Sequence, residues 1–335
     1  MEAKKTVVFE PESVEAAKNR LLHKEVRKVR EESTAAPRYI YSDDLELHVK
    51  IALATDRPLL LRGRSGYGKS TVAEDIAVVL GWDYYERVIT SRTEARDLLW
   101  RFDAVQRLGD AHATKGVGKN EEYVVPGPLW WAFDPKSASR VGRSEKDLRP
   151  DPSRVRLRGT GAVVLLDEID KADPDFPNDL LVPLGAKQFR VAETGHEIFA
   201  NRDVLVIITT NEERDLPAAF LRRCIVHVLE KPSDKRLRTI VQSHFGDVSE
   251  SLLTAIFKQL TSISDKARKQ DVREPGTAEL LDTVRVCLNL GIDETSKDWK
   301  TVTEATLWKH ASVEDKKPAE DKKPAEDTKP AEDTK

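Results

Sequence analysis

LLLRGRSGYGKST, residues 59–71, decides how the rest of the chain is read. Leu59, Leu60 and Leu61 read as a short apolar strand. The segment after them fits G-x-x-x-x-G-K-[ST], with Gly63, Gly68, Lys69 and Ser70 at the fixed positions. In the following TVAEDIAVVL, Val72, Ile76, Val79 and Leu80 recur at helical spacing. A strand, a glycine-rich turn and a helix, in that order, is the context this motif requires.

The residue types suit a phosphate chain. Glycines at 63, 66 and 68 let the backbone curl and turn its N–H groups inward, where a side chain would obstruct an anion. The helix behind the loop adds its positive end. The whole run Gly63, Arg64, Ser65, Gly66, Tyr67, Gly68, Lys69, Ser70 and Thr71 is the candidate binding segment. Lys69 would neutralise the β- and γ-phosphates, and the Ser70 hydroxyl would hold Mg²⁺. The competing reading, an ordinary glycine turn, leaves the flanking strand and helix unexplained.

The chain has 335 residues, enough for two domains, and its net charge of −3 gives no general pull toward nucleic acid or an anionic membrane. Its two cysteines, Cys224 and Cys287, form no CxxC pair and lie near no histidine cluster, so neither a disulfide framework nor a zinc site is expected. No apolar run approaches membrane-spanning length, and the opening MEAKKTVV lacks a signal-peptide core. The expectation is a soluble, cytoplasmic protein.

Along the chain, residues 1–38 read as a charged helix (11–32, with a thin apolar stripe) and a linker. YIYSDDLELHVKIALATDRP then offers a helix capped near Ser42, with Leu45, Leu47, Val49, Ile51 and Leu53 as its apolar face and Pro58 as its stop. A second strand is expected over 83–90. Residues 91–126 break a simple strand–helix alternation and read as an inserted hairpin. Trp130 and Trp131 could stack on bases, but no basic patch surrounds them, so burial against the sheet is the reading. Residues 134–160 read as an exposed loop.

AVVLLDEID, residues 162–170, is the second anchor. Its five-residue apolar run fits a strand buried on both faces of a parallel sheet. That strand delivers Asp167 and Glu168 at its carboxyl end, where open α/β sheets bind ligands. Asp167 would bind Mg²⁺, and Glu168 would orient and deprotonate a water; Asp170 reads as a cap for the next helix. Two short strands are expected around Thr194-Gly195. DVLVIITTN (203–211) is another buried strand ending in Asn211, LPAAFLRRC (216–224) a short helix presenting Arg222 and Arg223, and IVHVLE (225–230) the last strand.

Taken in order, GRSGYGKST, VVLLDEID, IITTN and LPAAFLRRC resemble the AAA+ ATPases and, within them, the MoxR-like group, over residues 39–290. The resemblance implies an α/β fold, a P-loop NTPase αβα sandwich with a parallel sheet, followed by a small helical lid. The core would span 39–230, with the hairpin insertion of the MoxR-like branch near 91–126, and the lid 231–311. It further implies ATP hydrolysis with Mg²⁺, Asn211 as the sensor that positions the lytic water, and Arg222 or Arg223 as the arginine finger acting on a neighbouring subunit. The implied assembly is a homo-oligomer, a hexamer, that remodels a protein client, often one with a von Willebrand A domain. A regulatory switch that assembles on ATP and hydrolyses it slowly is the alternative. The lid sensor arginine usually sought near its third helix has Arg273 as its nearest counterpart, ahead of Pro275 and outside that helix. Residues 312–335 carry a six-residue KPAED-type repeat with almost no apolar content, a composition expected to stay disordered.

Overall fold

The computed structural model of the protein describes residues 39–113, 116–141, 160–270 and 272–308. The helix expected over 11–32, the repeat tail and most of the loop expected over 134–160 lie outside the described residues. The chain divides into two compact units. One runs to Ser249 and includes Gly276–Ala278; the other holds Glu250–Pro275 and the chain from Glu279 onward.

In the first unit the elements follow as α1 (Asp43–Thr55), β1 (Leu59–Arg62), α2 (Lys69–Leu80), β2 (Asp83–Val88), β3 (Trp100–Phe102), α3 (Ala104–His112), β4 (Val124–Pro126), α4 (Pro128–Phe133) and β5 (Gly161–Asp167). After three short helical segments come β6 (Gln188–Arg190), β7 (Glu197–Phe199), β8 (Asp203–Thr210), α5 (Ala218–Leu221), β9 (Ile225–Val228) and α6 (Asp234–Phe245). Five strands form a sheet in the order β2-β5-β8-β1-β9, every neighbouring pair parallel. The continuous apolar runs take the inner positions: residues 161–166 of β5 and 204–210 of β8 are buried throughout.

Strand periodicity divides the core into two layers. Leu60, Val164, Leu166, Val206 and Ile208 face Trp130, Phe133 and Phe220 on one side. Leu59, Leu61, Val163, Leu165, Leu205 and Ile207 face Leu45, Val49, Val72 and Ile76 on the other. Helix α1 begins where its cap predicts, with Ser42 Oγ accepting the Leu45 amide at 3.3 Å. Its apolar face differs from the sequence expectation: Leu45, Val49 and Ala52 are buried, whereas Leu47 is 54% exposed. A two-residue step moves a helical side chain about 200° around the axis, so Leu45 and Leu47 cannot share a face.

Two antiparallel pairs lie outside this sheet, β3 with β4 between β2 and β5, and β6 with β7 between β5 and β8. They lock together through Trp100, which stacks on Phe189 with centroids 5.7 Å apart and donates its indole N–H to Glu193 at 2.7 Å. Trp130 is fully buried and donates to Ser137 Oγ, consistent with a packing role. In the second unit the apolar stripe of α7 (Glu250–Lys269), among it Leu253, Ile256, Leu260 and Ile263, is buried, as are Leu280, Val284 and Cys287 of α8 (Thr277–Leu290). Three helices follow β9 in chain order, α6 in the first unit and then α7 and α8, with Gly246 and Gly291 ending the first and third at positive φ. A further helix, α9 (Trp299–Leu307), was not singled out in the sequence. Three of its nine residues are threonines and one of its two buried positions is Thr303, which leaves little apolar contrast to signal it.

Candidate active site

Parallel register gathers the motif residues at one edge of the sheet. Arg62, the last residue of β1, pairs with Thr210 of β8, and Leu166 of β5 pairs with Ile208. Gly63, Asp167, Glu168 and Asn211 therefore leave adjacent strands at the same carboxyl end.

The loop from Gly63 to Gly68 uses its glycines for different reasons. Gly63 has φ 142°, and a Cβ there would stand 2.6 Å from the Leu229 carbonyl oxygen. Gly66 and Gly68 have φ 87° and 81°, where a side chain is strained. Arg64 and Ser65 are exposed at the tip, while Gly66, Tyr67, Ser70 and Thr71 are half-buried. Tyr39 lies over the loop's end, within 3.3 Å of where a Gly68 Cβ would be, and its segment is fixed to α2 by Tyr41, whose hydroxyl donates to Asp75 at 2.7 Å.

Lys69 is 6% exposed. Its ammonium donates to the carbonyls of Gly63 at 2.6 Å and Arg64 at 3.0 Å, and to Asn211 Oδ1 at 2.8 Å. Burial lowers its pKa, while the carboxylates of Asp167, Asp170, Glu168 and Glu212 pull the other way. The Asn211 side chain is a bridge: it accepts from Lys69 and donates through Nδ2 to Glu168 Oε1 at 2.9 Å. Glu168 sits at φ 61°, a left-handed conformation that costs a non-glycine residue about 1–3 kcal/mol and concentrates at functional sites.

Ser70 Oγ lies 3.0 and 3.1 Å from the two oxygens of Asp167. Hydroxyl and carboxylate together are a hard oxygen donor set that suits Mg²⁺. Thr209 steadies the pair; its hydroxyl donates to Asp167 Oδ1 and accepts the Glu168 amide at 2.9 Å.

Two contributors were not legible as such. Thr209 reads simply as the end of a buried strand. Asp170 was expected to cap the next helix, and the structure corrects this. That 3₁₀ turn, Ile169–Lys171, has no side-chain cap, and Asp170 instead accepts the backbone N–H groups of Asn211 at 3.1 Å and Glu213 at 3.0 Å. Asp170 is 4% exposed, and its second oxygen has no hydrogen-bond partner among the described residues. No local sequence signal distinguishes a cap from a carboxylate reaching across to the next strand.

Arg222 and Arg223 are not part of this cluster. They are exposed and precede β9, whose first residue, Ile225, pairs with Leu59 at the start of β1. The loop leaves β1 at its far end, after Arg62. The arginines thus stand at the opposite edge of the sheet from their own phosphate loop, about 13 Å away by strand rise alone. Within the second unit, Arg273 pairs with Glu279 at 3.3 Å.

The AAA domain of the dynein-related subfamily matches residues 58–224. No curated protein matches the chain. Among solved structures, a candidate ATPase of Cytophaga hutchinsonii aligns with 15% identity over 88% of each chain at a TM-score of 0.42. A mutant of Thermotoga maritima RuvB aligns with 14% identity over 78% of this chain and 76% of that one, at 0.41. The Thermotoga maritima RuvB Holliday junction branch migration motor gives 14% identity over 78% of this chain and 66% of that one, also at 0.41. No helix of the described residues is long and apolar enough to cross a membrane. With the parallel sheet, the phosphate loop and the carboxylate pair in place, residues 58–224 form an AAA domain of the dynein-related subfamily, and the chain is a P-loop ATPase.

Proposed function

We propose that the chain hydrolyses ATP at sites shared between copies of itself, and that the resulting ring, a hexamer of the MoxR-like kind, remodels a protein client such as one bearing a von Willebrand A domain. The observation that carries the chemical part is the hydrogen-bonded sequence Lys69–Asn211–Glu168 beside Ser70–Asp167. Lys69 and the inward N–H groups of residues 63–71 bind the phosphates. Ser70 and Asp167 would hold Mg²⁺, which supplies charge neutralisation on the phosphate oxygens. Asn211 orients the attacking water through its amide; the Glu168 carboxylate takes that water's proton as its oxygen bonds to the γ-phosphorus and the bond from that phosphorus to the β–γ bridging oxygen breaks, releasing ADP and phosphate. Arg222 or Arg223, out of reach of its own loop, supplies positive charge to the nucleotide of a neighbour.

Glu168→Gln keeps the shape and the Asn211 contact but removes the base. Its turnover should fall about 10²- to 10⁴-fold while ATP stays bound, read by steady-state phosphate release beside titration with a fluorescent ATP analogue. Wild-type turnover in this variant would assign the base elsewhere.

A further inference from the structure

We infer that Arg57, which carries no role in the reading above, is the positioning residue of the arginine pair: its guanidinium clamps the backbone from which Arg222 and Arg223 project. The inference rests on the proposal that one of these arginines acts as a finger.

Arg57 lies between α1 and β1, 165 positions before Arg222. Its Nη2 donates to the carbonyls of Arg222 and, at 3.1 Å, of Cys224, and its Nε donates to the carbonyl of Arg223 at 3.1 Å. One side chain thus engages three successive carbonyls. The next residue completes the join, with the Ile225 amide donating to the Pro58 carbonyl at 2.8 Å. The segment is held from inside as well: Phe220 is 1% exposed and Cys224 is 5% exposed, on either side of the two exposed arginines. Helix α5 is only four residues long, too short to fix its own C-terminal end. The three carbonyls that Arg57 engages belong to the turn after this helix, residues 222–224, and guanidinium offers them the fork that a lysine lacks.

The physical demand for such a clamp follows from the finger's task. A group that meets a phosphoryl transition state across a subunit boundary must be placed in advance, and a displacement of about 1 Å can cost on the order of 10²-fold in rate. The carbonyl clamp holds the main chain of both arginines while leaving their side chains free to reach outward. Arg57 touches neither the phosphate loop nor Asp167, Glu168 or Asn211, so its loss should act on turnover and spare ATP affinity.

The test compares wild type, Arg57→Gln, the double variant Arg222→Ala/Arg223→Ala, and the triple variant. Turnover, affinity for a fluorescent ATP analogue and thermal melting are measured for each. We expect Arg57→Gln to lose about 10-fold or more in kcat with unchanged ATP affinity. In the background lacking both arginines, Arg57→Gln should change turnover no further, a non-additivity that a merely structural residue would not produce. If the double variant loses turnover but Arg57→Gln keeps it, or if the two losses multiply in the triple variant, the clamp is overturned and the finger stands. If the double variant keeps full turnover, the finger is overturned and the clamp with it. Should Arg57→Gln fail to melt cooperatively, Arg57→Lys carries the test: it keeps the charge without the fork. A reduced kcat at unchanged affinity supports the clamp, and a wild-type kcat overturns it.

Discussion

Asn211 and Asp170 form the most tightly argued pair at the scale of single residues. The Asn211 amide links Lys69 to Glu168, so its position decides whether the phosphate cation and the proposed base are aligned. Its backbone in turn hangs on Asp170. Asp170→Ala should strand two N–H groups, those of Asn211 and Glu213, at about 1–3 kcal/mol. The same change should cut kcat by about 10-fold or more, because Asn211, the proposed sensor, loses its anchor. Chemical denaturation and steady-state kinetics check the two effects separately, and a stability loss with an intact kcat would reduce Asp170 to a structural role. This coupling could not be read from the sequence. DEID announces two carboxylates at a strand end, but a contact from residue 170 to the main chain of residue 211 depends on strand register.

At the scale of elements, α1 separates packing from mere hydrophobicity. Leu45 is fully buried against the sheet, and Leu47 is 54% exposed. Leu45→Ala should therefore destabilise the first unit by about 2–5 kcal/mol, and Leu47→Ala by no more than about 0.5 kcal/mol, as seen in urea unfolding. Equal effects would contradict the observed face. The same helix meets edge strand β9 through His48 and His227, whose Nδ1 atoms lie 3.2 Å apart. Burial lowers the His227 pKa, His48 and Arg236 add to this, and Asp44 and Glu230 oppose it. Because the unfolded chain then binds the proton more readily, His227 leaves stability intact above about pH 6.5 and removes it as pH falls below that value. His227→Phe should flatten the loss of melting temperature as pH falls below about 6.5; an unchanged slope would assign the pH response to another group. Elements were legible where pattern and context agreed. The phosphate loop, β5 and β8 carry continuous apolar runs or fixed motif positions, whereas the α1 face was misjudged because alternating leucines suggest a strand-like spacing. Helix α9 was missed for want of an apolar stripe.

For the whole molecule, the placement of the arginines argues for assembly. Lys69, Ser70, Asp167, Glu168 and Asn211 complete one end of the sheet within a single chain, while Arg222 and Arg223 stand at the other end, held by Arg57. A site that needs both can be built only from two copies. The order of motifs in the sequence suggested the proposed division of labour through family resemblance; the register adds that β9 enters the sheet where β1 begins. The most direct measurement mixes Arg222→Ala/Arg223→Ala protein with Lys69→Ala protein at varied ratios and follows ATP turnover. The first binds nucleotide but lacks the outward charge, which can be worth about 10³- to 10⁵-fold in rate; the second lacks the phosphate cation but keeps that charge. The account predicts that each alone is nearly inactive and that mixtures regain activity, greatest at intermediate ratios. No recovery at any ratio, in mixtures shown by native mass spectrometry to contain both chains in one assembly, would contradict it.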